Sequence, residues 1–237
     1  MSTKKGILYG VSVGTGDPEL ITLKGVRILE NAPIVAFPQG LRHKKGIAEG
    51  IIEGYLNPRQ KKVPLCFPYT TDDLVLHQAW EKVAFEVYGY LMQGYDVAFA
   101  CEGDISFFST FTYLAQYVKM LDEQVVIQRI PGVSSPMVGA SALQIPLTMQ
   151  EEKVAILPAF YSVEELEKVL KTVDIVVLLK VHSVYSQVWQ LLKDLDLLKF
   201  ARVVERASFP DEKIYIDLTN LSSLKLSYFS LMIICQR

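Results

Sequence analysis

Short β-branched runs alternate with longer helical patterns along the chain, and this alternation constrains its fold more than any other feature. Residues 7–13 have the composition of a buried strand. Apolar residues then recur at every third position from Leu20 to Leu29, which indicates one face of a helix. Because parallel strands are joined by crossovers that are usually helices, the repeated strand–helix order predicts an α/β domain with a largely parallel sheet.

The predicted elements divide the chain into two regions. In the first, strands are predicted at 7–13, 34–37, 62–65, 95–101 and 124–130, and helices at 20–31, 46–55, 74–92, 110–120 and 136–143. In the second, strands are predicted at 153–157, 174–180, 202–206, 213–217 and 227–235, and helices after Ser162 and at 184–198. The last three strands follow one another, which predicts a mixed sheet in the second region. We therefore place an N-terminal domain at 1–148 and a C-terminal domain at 149–237.

Composition and charge exclude several classes of protein. Half of the 237 residues are hydrophobic and 21% are charged, as expected for a globular chain rather than a disordered one. The net charge of −2 does not provide the uniformly basic surface of a nucleic-acid-binding protein. Cys66, Cys101 and Cys235 are too scattered for a disulfide framework or a zinc site. These scattered cysteines fit a reducing setting, so we expect a cytoplasmic protein and no metal. The start of the chain also lacks the apolar core of a signal peptide.

A glycine turn follows the first predicted strand and reads Gly14-Thr15-Gly16-Asp17-Pro18. Asp17 suits the N-cap of a helix and Pro18 its first turn. The dinucleotide-binding fingerprint fails because Glu19 stands where its third glycine belongs, and the chain has no Gly-Lys-Ser/Thr sequence. Two interpretations stay open for this stretch, a capped strand–helix turn and one wall of a ligand site.

Two further glycine turns follow later strands of the same predicted sheet. One reads Glu102-Gly103-Asp104 and the other runs from Pro131 through Gly132 to the Ser134-Ser135 pair. Carboxyl ends of parallel strands meet at one edge of a sheet, where open α/β sheets bind ligands. Two of the three turns, the first and the second, carry acidic residues. Acidic residues at this edge favour a ligand with hydroxyls and a cationic part over a polyphosphate. The alternative is structural: Asp104 as a turn residue and the serines, with Ser109, as helix caps.

Six stretches carry a resemblance to a known family across essentially the whole chain. They are GVSVGTGDPELITLKGVRILENAPIVAFP, VAFACEGDISFFSTFTYL, IPGVSSPMVGASALQIPLT, DIVVLLKVHS, ARVVERASFPDEKI and YFSLMII. In this order they resemble the tetrapyrrole (corrin/porphyrin) methyltransferases, which use S-adenosylmethionine. The resemblance implies a two-domain α/β fold with an active site in the cleft between the domains. It also implies a homodimer.

One subgroup of this family is most similar. Many relatives carry an aspartate after the second strand, whereas this chain has Pro38-Gln39 there. That pair, the Phe-Ser-Thr-Phe run at 108–111 and the segments around residues 180 and 206 resemble the C-20 methyltransferases of cobalamin biosynthesis. The resemblance implies methyl transfer from S-adenosylmethionine to C-20 of precorrin-2 or of cobalt-factor II, with S-adenosylhomocysteine as the other product.

The resemblance also implies cofactor-binding residues, position by position. The first loop offers Thr15, and the second offers Glu102, Gly103 and Asp104, with Phe107 behind it. The third loop offers Ser134 and Ser135. In the C-terminal region, Leu179 matches an apolar contact near the adenine and Ala207 falls near another cofactor position.

A densely basic run follows the second predicted strand and contains Arg42, Lys44 and Lys45. The expected substrate carries many carboxylates, so we expect these three side chains to contact them; the alternative is a solvated loop. The sequence predicts no catalytic acid or base, since its three histidines are dispersed.

Several rival functions stay open at this stage. The same fold could methylate another tetrapyrrole carbon, a diphthine precursor or ribosomal RNA, although the low net basicity and the Pro38-Gln39 pair argue against these. A nicotinamide-dependent oxidoreductase is disfavoured by the failed glycine fingerprint. A non-catalytic binding module is the remaining alternative.

Overall fold

The computed structural model describes residues 4–40, 45–68, 70, 72–158 and 162–236. They group into two compact units, Met1–Ser134 and Ser135–Arg237. This grouping follows spatial proximity, and the domain boundary at 148–149 stays a prediction. Within the described ranges, no helix combines the length and apolar character needed to cross a bilayer.

The first unit contains a five-stranded parallel sheet, which confirms the predicted α/β architecture. Its strands are β1 (Leu8–Ser12), β2 (Ile34–Pro38), β3 (Lys61–Leu65), β4 (Val97–Cys101) and β5 (Ile127–Ile130). Its helices are α1 (Leu23–Asn31), α2 (Ile47–Ile52), α3 (Asp73–Met92) and α4 (Phe111–Leu121). The strand order is β3-β2-β4-β1-β5, so β1 lies between β4 and β5. The ends of these three strands are therefore neighbours.

Helices cover both faces of this sheet because its central strands are apolar on both sides. Along β4, Val97 and Phe99 belong to the core cluster that contains buried residues of α3 and α4, whereas Ala98 and Ala100 belong to the cluster that contains buried residues of α1 and α2. This alternation is the period of two expected of a strand.

The first helix begins later than the sequence predicted, and this corrects the role given to Asp17. The Asp17 carboxylate accepts the backbone N–H of Glu19 at 2.8 Å and caps a short 3-10 turn over Pro18–Leu20. Helix α1 instead begins at Leu23, and Thr22 is its N-cap. The short turn ends because Ile21 returns to an extended conformation.

The second unit contains the predicted mixed sheet. Its strands are β6 (Val154–Leu157), β7 (Ile175–Leu179), β8 (Ala201–Glu205), β9 (Lys213–Tyr215) and β10 (Ser230–Cys235), and its helices are α5 (Ser135–Ala142), α6 (Val163–Leu170) and α7 (Tyr185–Asp194). The order is β6-β7-β10-β8-β9, with β10 antiparallel to both β7 and β8. The carboxyl ends of β7 and β8 therefore lie at one edge, on either side of the start of β10.

Close packing of β1 on α4 gives a test of this fold. A Cβ added at Gly10 would lie 2.5 Å from the Phe111 ring, whereas a Cβ added at Gly89 in α3 would meet nothing within 4 Å. We expect Gly10→Ala to lower the free energy of unfolding by about 1–3 kcal/mol through overpacking. The control Gly89→Ala should raise it by about 0.5–1 kcal/mol through helix propensity. Urea unfolding of both variants measures this, and equal effects would contradict the packing described.

Candidate functional site

The three glycine turns lie together at the carboxyl edge of the parallel sheet, because β4, β1 and β5 are neighbours. The first and second turns pair directly through their backbones. The N–H of Gly103 donates to the carbonyl of Gly14 at 2.7 Å, and the reverse bond measures 3.3 Å. Both residues have left-handed backbones, with φ of 73° at Gly14 and 70° at Gly103, so glycine is the residue best suited to each position.

The hydroxyl of Ser12 joins the ends of all three strands. Ser12 is the last residue of β1 and is fully buried. Its Oγ donates to the carbonyl of Ile130 at 2.7 Å and accepts the N–H of Ile105 at 2.7 Å. Both hydrogen-bonding roles of the hydroxyl are thus used inside the protein, where an unmatched polar group would be costly.

The carboxylate of Asp104 joins the second turn to the third. Its Oδ1 accepts the N–H of Ser106 at 2.8 Å, and its Oδ2 accepts the N–H of Gly132 at 2.7 Å. Asp104 therefore acts as a turn residue, which is the structural role that the sequence left open for it. The two oxygens of a carboxylate offer about four lone-pair positions, so this side chain retains capacity to accept a bond from a ligand hydroxyl.

Position 132 has no room for a side chain, so it requires glycine. Position 103, in contrast, is next to open space. A Cβ on Gly132 would lie 2.4 Å from the Cβ of Ser12, too close for any side chain. A Cβ on Gly103 would meet no atom within 4 Å. The backbone beside Gly103 can therefore be approached closely by a ligand, as the cofactor assignment requires.

Glu102 links the second turn to helix α2. The N–H of Ala48, in the first turn of that helix, donates to Glu102 Oε1 at 3.3 Å. Burial raises the pKa of the Glu102 carboxyl above its usual range, and the bond from Ala48 opposes this shift. The carboxyl consequently holds its proton to a higher pH than an exposed glutamate does.

The thiol of Cys101 lies directly behind this turn. Ser109 Oγ donates to Cys101 Sγ at 3.3 Å and accepts the N–H of Phe111 at 3.1 Å, which agrees with the predicted capping role of Ser109. Burial, reinforced by the neighbouring Glu102 carboxylate, raises the pKa of the Cys101 thiol to about 12. The thiol therefore stays protonated at neutral pH and does not act as a nucleophile.

The remaining cofactor residues predicted for the first unit lie on the same three turns. Thr15 follows the paired Gly14 and is partly buried. Phe107 packs edge-to-face on Phe108, whose backbone is left-handed with φ of 49°. Ser134 ends the third turn and is partly buried.

The other three predicted cofactor residues belong to the second unit. Ser135 begins α5. Leu179 ends β7 and Ala207 follows β8, and both are buried. The strand order places Leu179 and Ala207 at one edge of the mixed sheet.

The predicted substrate contacts are only partly described. Lys45 forms an ion pair with Glu53, which holds the pKa of that carboxyl below its usual range, and both side chains are exposed. The positive charge of Lys45 is therefore paired with a carboxylate of the protein itself. Arg42 and Lys44 lie outside the described residues, so their role stays a prediction.

Ser12 is the residue that sequence reasoning missed, and Gly132 was identified only as a member of the third turn. The available signal was a polar residue in an otherwise apolar strand, because the segment around Ser12 reads GVSV. Such a residue needs a buried partner. Its partners are 93 and 118 positions away in the chain, so no local pattern identifies them.

Comparison with known sequences identifies related proteins along nearly the whole chain. Residues 7–224 match the family described as Tetrapyrrole (Corrin/Porphyrin) Methylases. A Methanocaldococcus jannaschii protein named probable cobalt-precorrin-2 C(20)-methyltransferase is 33% identical over 230 residues, which are 96% of this chain and 95% of that protein. The Mycobacterium tuberculosis cobalamin biosynthesis protein CobIJ is 31% identical over 235 residues, but these are 45% of its length. The chain thus spans about half the length of CobIJ.

Solved structures share the fold. A cobalt precorrin-4 methyltransferase has a TM-score of 0.74 at 21% identity, covering 96% of this chain and 94% of the other. The uroporphyrin-III C-methyltransferase of Thermus thermophilus, complexed with S-adenosyl homocysteine, has a TM-score of 0.67 at 22% identity and covers 98% of each chain.

The bridging role of Asp104 can be tested by removing one acceptor. Asp104→Asn turns an oxygen into an N–H₂ group facing either the exposed Ser106 or the half-buried Gly132, so one of these N–H groups loses its acceptor. An unmatched polar group costs about 1–3 kcal/mol when buried and less when exposed. We expect lower thermal stability and faster amide hydrogen exchange at whichever of Gly132 and Ser106 loses its acceptor. In the control Asp72→Asn, both bonds of the α3 N-cap go to Oδ1, which asparagine retains, so stability should hold. Unchanged stability together with unchanged exchange at both Gly132 and Ser106 in Asp104→Asn would refute the bridge.

The raised pKa of Glu102 predicts a pH-dependent stability difference. Above the ordinary carboxyl pKa the unfolded chain loses this proton before the folded chain does, so the residue's contribution to stability falls as pH rises towards the raised value. Glu102→Gln keeps an oxygen for Ala48 and removes the titration. Its melting temperature relative to wild type should therefore increase from about pH 4 to about pH 8. A difference independent of pH across that range would contradict burial as the cause.

Proposed function

We propose, since the chain belongs to the tetrapyrrole (corrin/porphyrin) methylases, that it transfers a methyl group from S-adenosylmethionine to C-20 of precorrin-2 or of cobalt-factor II in cobalamin biosynthesis. The observation that carries this proposal is the match to a probable cobalt-precorrin-2 C(20)-methyltransferase over nearly the full length of both proteins. A Salmonella typhimurium cobalt-precorrin-2 C(20)-methyltransferase, 29% identical over 231 residues, supports the same assignment.

The joined turns fit S-adenosylmethionine as the cofactor. The open side of Gly103 allows close approach to the backbone, and the carboxylate of Asp104 retains lone pairs for ribose hydroxyls. The presence of S-adenosyl homocysteine in a structure of the same fold agrees with this. We assign Thr15, Glu102, Phe107 and Ser134 to this edge of the first unit. Ser135, Leu179 and Ala207 of the second unit stay cofactor contacts that the family resemblance implies. When bound, the cofactor supplies a methyl group activated by its sulfonium.

The main role of the protein in this reaction is to position the bound ligands on turns that are fixed relative to one another. The hydroxyl of Ser12 and the carboxylate of Asp104 fix the turns relative to one another, so a ligand held by them has a defined orientation. Fixing an electron-rich meso carbon in line with a methyl donor can contribute several kcal/mol to the rate, on the order of 7–11 kcal/mol in favourable cases. A nucleophilic side chain is not needed for such a transfer.

Two further properties belong to this proposal. We propose that the chain acts as a homodimer, as the family resemblance implies. We also propose a cytoplasmic location, which fits the reduced state of the cysteines, since no disulfide joins any pair among the described residues.

Transfer of a labelled methyl group tests the proposed function. The protein is incubated with methyl-labelled S-adenosylmethionine and with either precorrin-2 or cobalt-factor II. We expect label at C-20 of at least one product. Absence of transfer to both tetrapyrroles by folded protein would refute the assignment, and label at another carbon would correct its regiochemistry.

A substitution at the open glycine tests where the cofactor binds. Gly103→Val fills the space beside the turn and strains a left-handed backbone. We expect the Kd for S-adenosylhomocysteine, measured by calorimetry, to rise by about ten-fold or more, equivalent to about 1.4 kcal/mol. The control Gly89→Ala should leave it unchanged. Equal Kd values for Gly103→Val and wild type would place the cofactor elsewhere.

A further inference from the structure

A cluster of aromatic and cationic side chains lies at one edge of the mixed sheet and has no role in the site described so far. Lys180 directly follows β7, and Tyr228 and Phe229 directly precede β10. Because Leu179 pairs with Leu231 across these antiparallel strands, the two segments emerge side by side. We call Lys180, His182, Tyr228 and Phe229 the Tyr228 platform.

The side chains of the platform contact one another and present a ring to solvent. The Lys180 Nζ lies 4.9 Å from the centroid of the Tyr228 ring. The ring of His182 lies 5.5 Å from the Tyr228 ring, and Phe229 meets Tyr228 edge-on at 5.2 Å. Tyr228 nevertheless keeps 40% of its surface exposed. The platform therefore offers an aromatic surface beside a cation.

The charge of Lys180 is available to a ligand. No carboxylate in the described ranges forms an ion pair with Lys180, and its only described charge-related contact is with the Tyr228 ring. In contrast, Arg206 at the same edge is paired with Asp211 at 2.7 Å, and Lys45 of the first unit is paired with Glu53. An exposed ammonium held over a ring can bind an anion without breaking an existing salt bridge.

The backbone at this edge is held in an uncommon conformation. Lys180, Arg206 and Ser208 all have left-handed backbones, with φ of 54°, 53° and 66°. At Lys180 this conformation is supported by its carbonyl, which accepts bonds from His182 Nδ1 at 3.0 Å and Ser183 Oγ at 3.4 Å. Strained non-glycine residues gather at ligand-binding sites, where the surrounding structure fixes them.

We propose that the Tyr228 platform binds the substrate macrocycle, with a peripheral carboxylate on the Lys180 ammonium and the conjugated ring against Tyr228. This proposal rests on the proposed function, because it takes its ligand class from that assignment. A flat ring bearing carboxylates matches both halves of the platform: the aromatic face stacks on the ring, and the ammonium binds the acid.

Binding of a stable fluorescent macrocycle tests the platform without requiring turnover. Uroporphyrin, whose rim carries carboxylates, is titrated into the full chain and its fluorescence followed. We expect Lys180→Met and Tyr228→Leu each to raise the Kd by about ten-fold, as loss of a charge-assisted bond or of ring stacking predicts. Lys180→Arg should restore most of the affinity. An unchanged Kd in Lys180→Met, or no binding by wild type, would overturn the proposal.

A second lysine provides a matched control for this experiment. Lys193 Nζ lies 5.3 Å from the Trp189 ring on α7, so it has the same type of contact away from the platform. Lys193→Met should leave uroporphyrin binding unchanged, and an effect as large as that of Lys180→Met would show non-specific charge attraction and overturn the site.

Turnover separates this proposal from the proposed function. In the methyl-transfer assay, Lys180→Met should raise the KM for the tetrapyrrole and leave the KM for S-adenosylmethionine unchanged. Wild type that binds uroporphyrin through Lys180 but methylates neither tetrapyrrole would support the platform and refute the proposed function. Active wild type whose tetrapyrrole KM is insensitive to Lys180→Met would refute the platform alone.

Discussion

The two hydrogen bonds of the Ser12 hydroxyl hold the first unit's strand ends in register, and the candidate site depends on them. They connect the end of β1 to the end of β5 and to the turn after β4. Asp104 then joins that turn to Gly132, and Gly132 can pack there only because it lacks a side chain. Three turns that are distant in sequence thereby become one continuous backbone surface.

This arrangement gives the acidic residues of the glycine turns a structural role. The carboxylate of Asp104 accepts N–H groups from two turns. In a phosphate loop, the backbone N–H groups instead donate to the bound phosphate. Glu102 is anchored by Ala48 and kept partly buried, which raises the pKa of its carboxyl. Such an edge suits a ligand that brings hydroxyls and positive charge, and S-adenosylmethionine has both.

Much of the fold could be predicted because its signals are local. The apolar pattern of β4 and the amphipathic pattern of α1 each lie within a dozen residues. Strand β4 lies within the predicted 95–101, whereas α1 ends at Asn31 as predicted but begins at Leu23 rather than Leu20. The N-cap of α1 was misplaced because Asp17 and Thr22 are both good caps, and only the extended backbone at Ile21 decides between them. The bonds of Ser12 and the Tyr228 platform depend on strand order, which no local pattern contains.

We propose that the joined turns form the cofactor site, and a crystal structure of the protein with S-adenosylhomocysteine tests this most directly. We expect the ligand to lie against the open side of Gly103, with its ribose hydroxyls within hydrogen-bond distance of the second turn. The bonds of Ser12 and Asp104 should persist in that complex. A ligand bound at full occupancy away from all three turns would contradict the account.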